Sequence, residues 1–351
     1  MGSIIINKNN WDNYLNRFPL NIQDLYYSYK YYKIYEINGD GVAECFFFEE
    51  NGDIAMYPFL KNSINKLGFS LDDEYFDIQG AYGYNGVIST TNDTSFIDNF
   101  YASFSNYCND NNIIAEFTRF HPNLNNQFFS QKWMNVFFDR NTVSLNLLPK
   151  KEQIWTDYYS SKNRNMIRKA LKNNVEIFTS NDRNDYKLFY SIYKETMRNV
   201  NADSYLYFNE EYFINFINFL PENHELILAK YNNQIVGGMI LLFHEDYAHY
   251  HLSARMSEYG NLALNNLFLD YSINLAKEKK CKIFHFGGGT SSEQNDSLLK
   301  FKLNFSKSKS DFYIGKKIHN ESIYKQVIDV WESNNPEKKD YYKNILLKYR
   351  F

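Results

Sequence analysis

The stretch Cys281-Lys-Ile-Phe-His-Phe-Gly-Gly-Gly-Thr290 constrains this chain more than any other. A short apolar run feeds directly into three consecutive glycines. Glycine has no Cβ, so the main chain there is bare and can be approached closely. A helix predicted over 295–304 follows, with Lys302 between Phe301 and Phe305. Ahead of the glycines, Tyr247-Ala-His-Tyr-His-Leu-Ser-Ala254 alternates like a strand and leads through a loop to an amphipathic helix over 261–278. Strand, loop, helix, strand and glycine turn, in that order, require an α/β layer in which the helix returns the chain to the sheet.

The chain has 351 residues, 44% of them apolar, which allows two domains with a sizeable core in each. Its 31 tyrosines and 30 phenylalanines come with abundant Asn, Lys and Ile, the residue choices of AT-rich coding, so tyrosine abundance alone does not mark a binding surface. The net charge of −3 excludes a broad basic footprint for nucleic acid and argues against tRNA as a partner. Cys45, Cys108 and Cys281 lie far apart, with no CxxC and no cysteine–histidine cluster at metal spacing, so no metal is expected. No run of 18 or more apolar residues is present, and the N-terminal stretch is polar without an apolar signal core. The expected location is cytoplasmic.

Two halves follow the same order. The first reads as a helix near 22–37 and a hairpin of 41–50 and 53–64 turning at Asn51-Gly52. A strand over 75–79, a Gly-rich loop, a helix over 93–109, a strand over 112–120 and a strand pair over 133–147 come next. The second reads as a helix over 152–173, a strand over 175–179, helices over 183–199 and 209–219, and a meander of 225–231, 234–243 and 247–254. The helix over 261–278, a strand over 281–286, the helix over 295–304, a strand over 309–317 and terminal helices complete it. This predicts an α/β protein of two modules, 1–149 and 150–351, each a mixed, mostly antiparallel sheet flanked by helices.

Several residues are candidates for chemistry. In the alternating strand Tyr247, His249, His251 and Ser253 share one face, and either histidine could accept a proton or line a substrate cleft. His285 precedes the glycines at the carboxyl end of a strand, where α/β folds place ligands. An amine of pKa about 8 needs only a base near neutrality to release its proton, which suits histidine. Between strand and helix, Arg255-Met-Ser-Glu-Tyr-Gly-Asn-Leu-Ala263 offers Gly260 and Asn261 at a helix start as a phosphate turn. Arg164, Arg168 and Lys172 recur every four residues and share a helix face, so they can solvate the helix or meet substrate phosphates. Lys302 brings a positive charge toward the glycines and could steady an oxyanion or a phosphate. Tyr82 and Tyr84 in the Gly-rich loop could stack on a sugar or base.

Five segments in order resemble the FemA/FemB/FemX-like branch of the GNAT acyltransferase superfamily. They are Ser161-Lys-Asn-Arg-Asn-Met-Ile-Arg-Lys-Ala170, His249-Tyr-His-Leu-Ser253, Leu275-Ala-Lys-Glu-Lys279, Phe284-His-Phe-Gly-Gly-Gly289 and Phe301-Lys-Leu-Asn-Phe305. The loop Tyr82-Gly-Tyr-Asn-Gly86 resembles that branch's first module. The resemblance implies two tandem GNAT-like modules, the second carrying the acyl-donor site. By matched position Arg164 and Lys302 fall where that branch contacts its phosphorylated substrate or acyl donor. Together with the residue reading, donor contacts are expected at Leu252, Ser253, Arg255, Gly260, Asn261, Gly287, Gly288 and Gly289, substrate contacts at Tyr82, Tyr84, Arg164, Arg168 and His249, and catalysis at His285, His251 and Lys302. Relatives use aminoacyl-tRNA or acyl-coenzyme A. His285 stands where many of them carry an acid, and the chain lacks a long charged helical arm. The expected activity is therefore acyl transfer from coenzyme A to the amine of a nucleotide-linked deoxyamino sugar, such as a dTDP-amino sugar of lipopolysaccharide synthesis. The alternative is aminoacyl-tRNA-dependent transfer to a peptidoglycan precursor. A homodimer is compatible with the sequence.

Overall fold

A computed structural model describes residues 2–293 and 295–351. In chain order it begins with β1 (Gly2–Ile5), α1 (Trp11–Leu15), α2 (Tyr29–Asn38), β2 (Val42–Glu50), β3 (Asp53–Ser63), β4 (Phe76–Gln79) and β5 (Ile88–Ser89). Then come α3 (Thr94–Asp110), β6 (Ile113–Arg119), β7 (Asn135–Asn146), α4 (Lys151–Gln153), α5 (Ser161–Lys172), β8 (Glu176–Ser180), α6 (Arg183–Asn199) and α7 (Glu210–Phe219). β9 (His224–Tyr231), β10 (Gln234–His244), β11 (Tyr247–Arg255), α8 (Leu264–Glu278), β12 (Ile283–Gly288), α9 (Ser297–Lys302), β13 (Lys309–Ile318) and α10 (Glu321–Asn334) finish the order.

The fold is mixed α/β in two compact units. Unit 1 comprises Met1–Ile22, Tyr26–Asp139 and Phe312–Phe351; unit 2 comprises Gln23–Leu25 and Arg140–Asp311. These are not the linear halves 1–149 and 150–351. The strand that follows β6 in sequence, β7, pairs with β12 of unit 2 through Thr142–Asn146. The strand that follows β12, β13, pairs with β6 of unit 1 through Ile314–Ile318. Each unit is thus finished by a strand from the other half of the sequence, a long-range pairing that local periodicity does not encode.

Within unit 1 the meander β2–β3–β4 is antiparallel, and α3 carries the chain across to β6, which lies parallel to β4. Asn51 and Gly52 take φ of 54° and 94°, the left-handed pair that a two-residue hairpin demands. Phe96, Phe100 and Phe104 are four apart and share one face of α3. They meet alternate residues of β2, with ring centroids 5.3 Å apart for Phe48–Phe96 and 5.1 Å for Phe46–Phe104. Each such ring, fully buried, stabilises the fold by about 1.5–3 kcal/mol.

Unit 2 repeats the scheme. β9, β10 and β11 form the antiparallel meander, and α8 crosses to β12, parallel to β11. Met239, Leu241 and Phe243 of β10 alternate inward and join Leu264, Leu267 and Phe268 of α8 in one buried cluster.

Five local expectations are corrected. The helix read at 22–37 begins only at Tyr29, because the Ser28 hydroxyl caps it by accepting the Tyr31 N–H. The strand pair at 133–147 is one twelve-residue strand, since its middle carries no turn residue to reverse it. The helix read at 152–173 breaks at Tyr159 and Ser160, whose ψ angles of 132° and 153° are extended. A π-turn, Ile154–Tyr158, precedes the break, and Ser160 caps α5 by accepting the Asn163 N–H. The helix read from 261 starts at Leu264, after a 3-10 segment, Ser257–Leu262, and a left-handed Ala263. The helix read over 295–304 is confined to Ser297–Lys302.

Candidate acyl-transfer site

β11 and β12 pair at Tyr247↔Ile283, Ala248↔Phe284 and His249↔His285. There their ladder ends, although β11 runs on to Arg255 along β10 and β12 to Gly288 along β7. Past the two histidines, the facing edges of two parallel strands no longer pair with each other. The sequence-read residues Leu252, Ser253, Gly287 and Gly288 all lie beyond that point.

The glycines are not a free turn. Gly287 takes φ +75° at a bulge where the register against β7 shifts between His285 and Gly287. A left-handed glycine is what such a bulge needs. The Gly288 carbonyl accepts from Lys302 Nζ at 2.6 Å, and the Gly289 carbonyl accepts from Arg140 Nη1 at 2.9 Å. Asp296 gathers the far side. Its Oδ2 accepts from the N–H groups of Thr290 and Ser291 at 3.0 and 3.1 Å and from both their hydroxyls, while Oδ1 caps α9 at Leu299 N–H, 2.8 Å away. These bonds hold its carboxyl well below the usual carboxylate range even though burial opposes them. A Cβ on Gly289 would lie 2.4 Å from Asp296 Oδ1, so glycine is required for the carboxylate to sit there.

Lys302 is buried, with its Nζ 5.4 Å over the Tyr250 ring. Burial pushes its pKa down to about 7; Asp296 pulls it up and Arg140 pushes it further down. A lysine tuned in this way holds a neutral amine fraction at neutral pH.

His249 and His285 are both buried, their rings 5.7 Å apart and steeply inclined. His249 Nε2 lies 2.8 Å from Oδ2 of fully buried Asp24, which belongs to unit 2 through the short segment Gln23–Leu25. With a carboxylate as acceptor, Nε2 carries the proton. His251 Nε2 lies 2.8 Å from the Tyr212 hydroxyl, and burial, helped by His249, drives its pKa down to about 3. It stays neutral at ordinary pH and is a weak proton acceptor, while His249 meets both the His285 ring and Asp24. Asp24 and Asp296 escaped the sequence reading. Asp24 is one acid in an aromatic-rich segment far from His249; Asp296 carried a faint signal, an acid just ahead of a helix.

Other sequence-read residues have settled partners. Arg255 Nη1 reaches the carbonyls of Met256 and Ser257 at 3.4 Å, and Gly260 packs against that guanidinium. Gly260 and exposed Asn261 lie in the 3-10 segment, so the bare N–H groups of the helix start belong to Leu264 and its successors instead. Arg164 Nη1 is spent on the carbonyls of Trp155, Thr156 and Tyr159, bracing the π-turn. Arg168 is exposed and lies 5.5 Å over the Trp155 ring. In unit 1 the Tyr82 carbonyl accepts from the Tyr31 hydroxyl at 2.6 Å, and the Tyr84 ring packs edge-on against Tyr26, His121 and Phe312. The loop around them is fixed by Arg119, which donates to the carbonyls of Gly80, Ala81 and Gly83.

Residues 161–296 match the acetyltransferase (GNAT) domain family. The matched segment runs from the first residue of α5 to Asp296 and contains the parted strands, both histidines and the glycines. The chain therefore carries a GNAT-type acyltransferase domain, and it is an acyltransferase. Among solved structures, FemX is 15% identical, with 93% of this chain and 99% of that chain covered at a TM-score of 0.68. L-PGS from Bacillus licheniformis is 12% identical, with 82% and 91% covered at a TM-score of 0.53. At these identities the likenesses bear on the fold alone, which the chain shares with both structures. No curated protein matches the chain by sequence. Among the described residues no helix is long and apolar enough to cross a membrane.

Proposed function

We propose that the chain is an N-acyltransferase that moves an acyl group from a coenzyme A thioester to the amino group of a nucleotide-linked deoxyamino sugar. The observation that carries the donor half is buried Lys302, which donates to the Gly288 carbonyl at 2.6 Å and whose pKa burial lowers to about 7. The acceptor half rests on the sequence resemblance. The amine nitrogen attacks the thioester carbonyl carbon, and the carbonyl electrons move onto oxygen. Main-chain N–H groups of the unpaired strand edges steady that oxyanion. Neutral Lys302 or His285 takes the amine proton, the C–S bond breaks, and the thiolate leaves. His249, held by Asp24, fixes the wall against which His285 packs.

A thermal-shift titration with coenzyme A, acetyl-coenzyme A and dTDP- or UDP-amino sugars tests this. A ligand at about 100 times its Kd stabilises the fold by about 2.7 kcal/mol. Shifts with both ligand classes, and turnover lost in His285→Ala and Lys302→Ala, are expected. No shift with coenzyme A would move the donor to aminoacyl-tRNA, which filter binding at low salt then checks.

A further inference from the structure

We propose that a groove of unit 1, walled by Trp133 and Phe137 and by Lys132, Lys316 and Lys317, binds a nucleotide diphosphate. The groove is open to solvent and has a volume of about 450 Å³. Its charges are held in place by the main chain. Lys316 Nζ donates to the Asn344 carbonyl at 2.6 Å and stands 5.3 Å over the Phe137 ring. Lys317 Nζ donates to the Trp133 carbonyl at 2.6 Å and stands 5.9 Å over the Trp133 ring. Lys132 Nζ also lies over that indole, at 5.4 Å, and pairs with Asp98.

A carbonyl partner orients an ammonium without cancelling its charge. Among the described residues no carboxylate forms an ion pair with Lys316 or Lys317, although Glu321 lines the groove and Asp139 attracts Lys316 from further off. Burial outweighs that attraction and lowers the Lys316 pKa from its usual value. A phosphate would supply the missing charge. Phe137 is 48% exposed, an aromatic face that inorganic phosphate would leave bare and a base would cover. Taken with the proposed function, the ligand class would be that of a nucleotide-linked sugar. Arg164 and Tyr84, read from the sequence for substrate contact, are engaged within the fold.

The test is calorimetric titration of the full chain with UDP and dTDP, read also through Trp133 fluorescence, with uridine and pyrophosphate as separate arms. The diphosphates are expected to bind, uridine and pyrophosphate at least ten-fold more weakly. Lys316→Ala/Lys317→Ala, and independently Phe137→Ser, should each weaken UDP ten-fold or more at unchanged melting temperature. Absence of UDP binding overturns the inference, and so does equal affinity for pyrophosphate or equal affinity in both variants. Coenzyme A, itself a nucleotide, is run on the double variant. Binding that survives there belongs to unit 2 and supports the donor reading. If UDP binds the groove and coenzyme A binds nowhere, the donor reading falls and the groove stands.

Discussion

Lys302 Nζ lies 2.6 Å from the carbonyl oxygen of Gly288, so a buried ammonium is tied to the bare backbone where β11 and β12 have parted. This contact joins the turn to α9, and burial, adjusted by Asp296 and Arg140, sets the protonation of the lysine. The predictions start from it.

Lys302→Met should lower acyl transfer by about 100-fold or more, the usual worth of a positioned acid or base. It should also raise the melting temperature. The folded pKa is depressed below the unfolded value, so the unfolded chain binds more protons between about pH 7 and pH 10. The penalty is full below about pH 7 and fades as pH rises through that window. Thermal melts at pH 6.5 and pH 9.5 check it: the gain from methionine should be larger at pH 6.5.

The rate of acyl transfer should fall about ten-fold per pH unit below pH 7 as Lys302 becomes protonated. Asp296 raises and Arg140 lowers this pKa. Asp296→Asn should therefore move the acid limb to lower pH and Arg140→Gln to higher pH. Identical limbs in all three proteins would show that another group is the base.

Gly289→Ala should impair turnover strongly while a distant control does not. The new Cβ meets Asp296 Oδ1 at 2.4 Å, and five donors hold that carboxylate in place. Gly2→Ala, with nothing within 4 Å, is the control. Comparing kcat for the two variants at saturating substrate decides the matter.

Arg350→Ala should destabilise unit 1 by about 3 kcal/mol, because it strips a partner from a buried charge. Asp77 is fully buried and accepts from Arg350 Nε and Nη2 at 2.9 and 2.6 Å and from the Tyr349 hydroxyl at 2.9 Å. Burial pushes its pKa up, and loss of the guanidinium pushes it further. Urea denaturation should show the midpoint falling with little change in slope.

Much of the fold was legible wherever local chemistry decides it. Asn51-Gly52 and Asn232-Asn233 mark their hairpins because both residues of each pair take positive φ. α6 follows its period of 3.6 from Arg183 to Asn199. The strand that runs into the glycines was legible in outline, from an apolar run followed by three residues without a Cβ. The tuning of the site was not. Asp24 reaches His249 across 225 positions, and no local pattern records that distance. Arg164 looked like a phosphate ligand because a helical wheel counts charges and ignores the carbonyls a broken helix leaves behind. Likewise extended chain was read at β7, though as a pair, and a strand at β13, while their partners depend on pairings far apart in sequence, such as Ile283 with Asn146 and Ile314 with Arg119.

Those two strands also bear on how the protein is made. The last strand of the unit 1 sheet, β13, lies far downstream of β1 to β6, and the Arg350 anchor of buried Asp77 is later still. As the chain leaves the ribosome, the first unit can collapse around its phenylalanines but keeps an open edge along β6 until nearly the whole polypeptide has emerged. Synthesis therefore imposes a waiting period on the half that is born first.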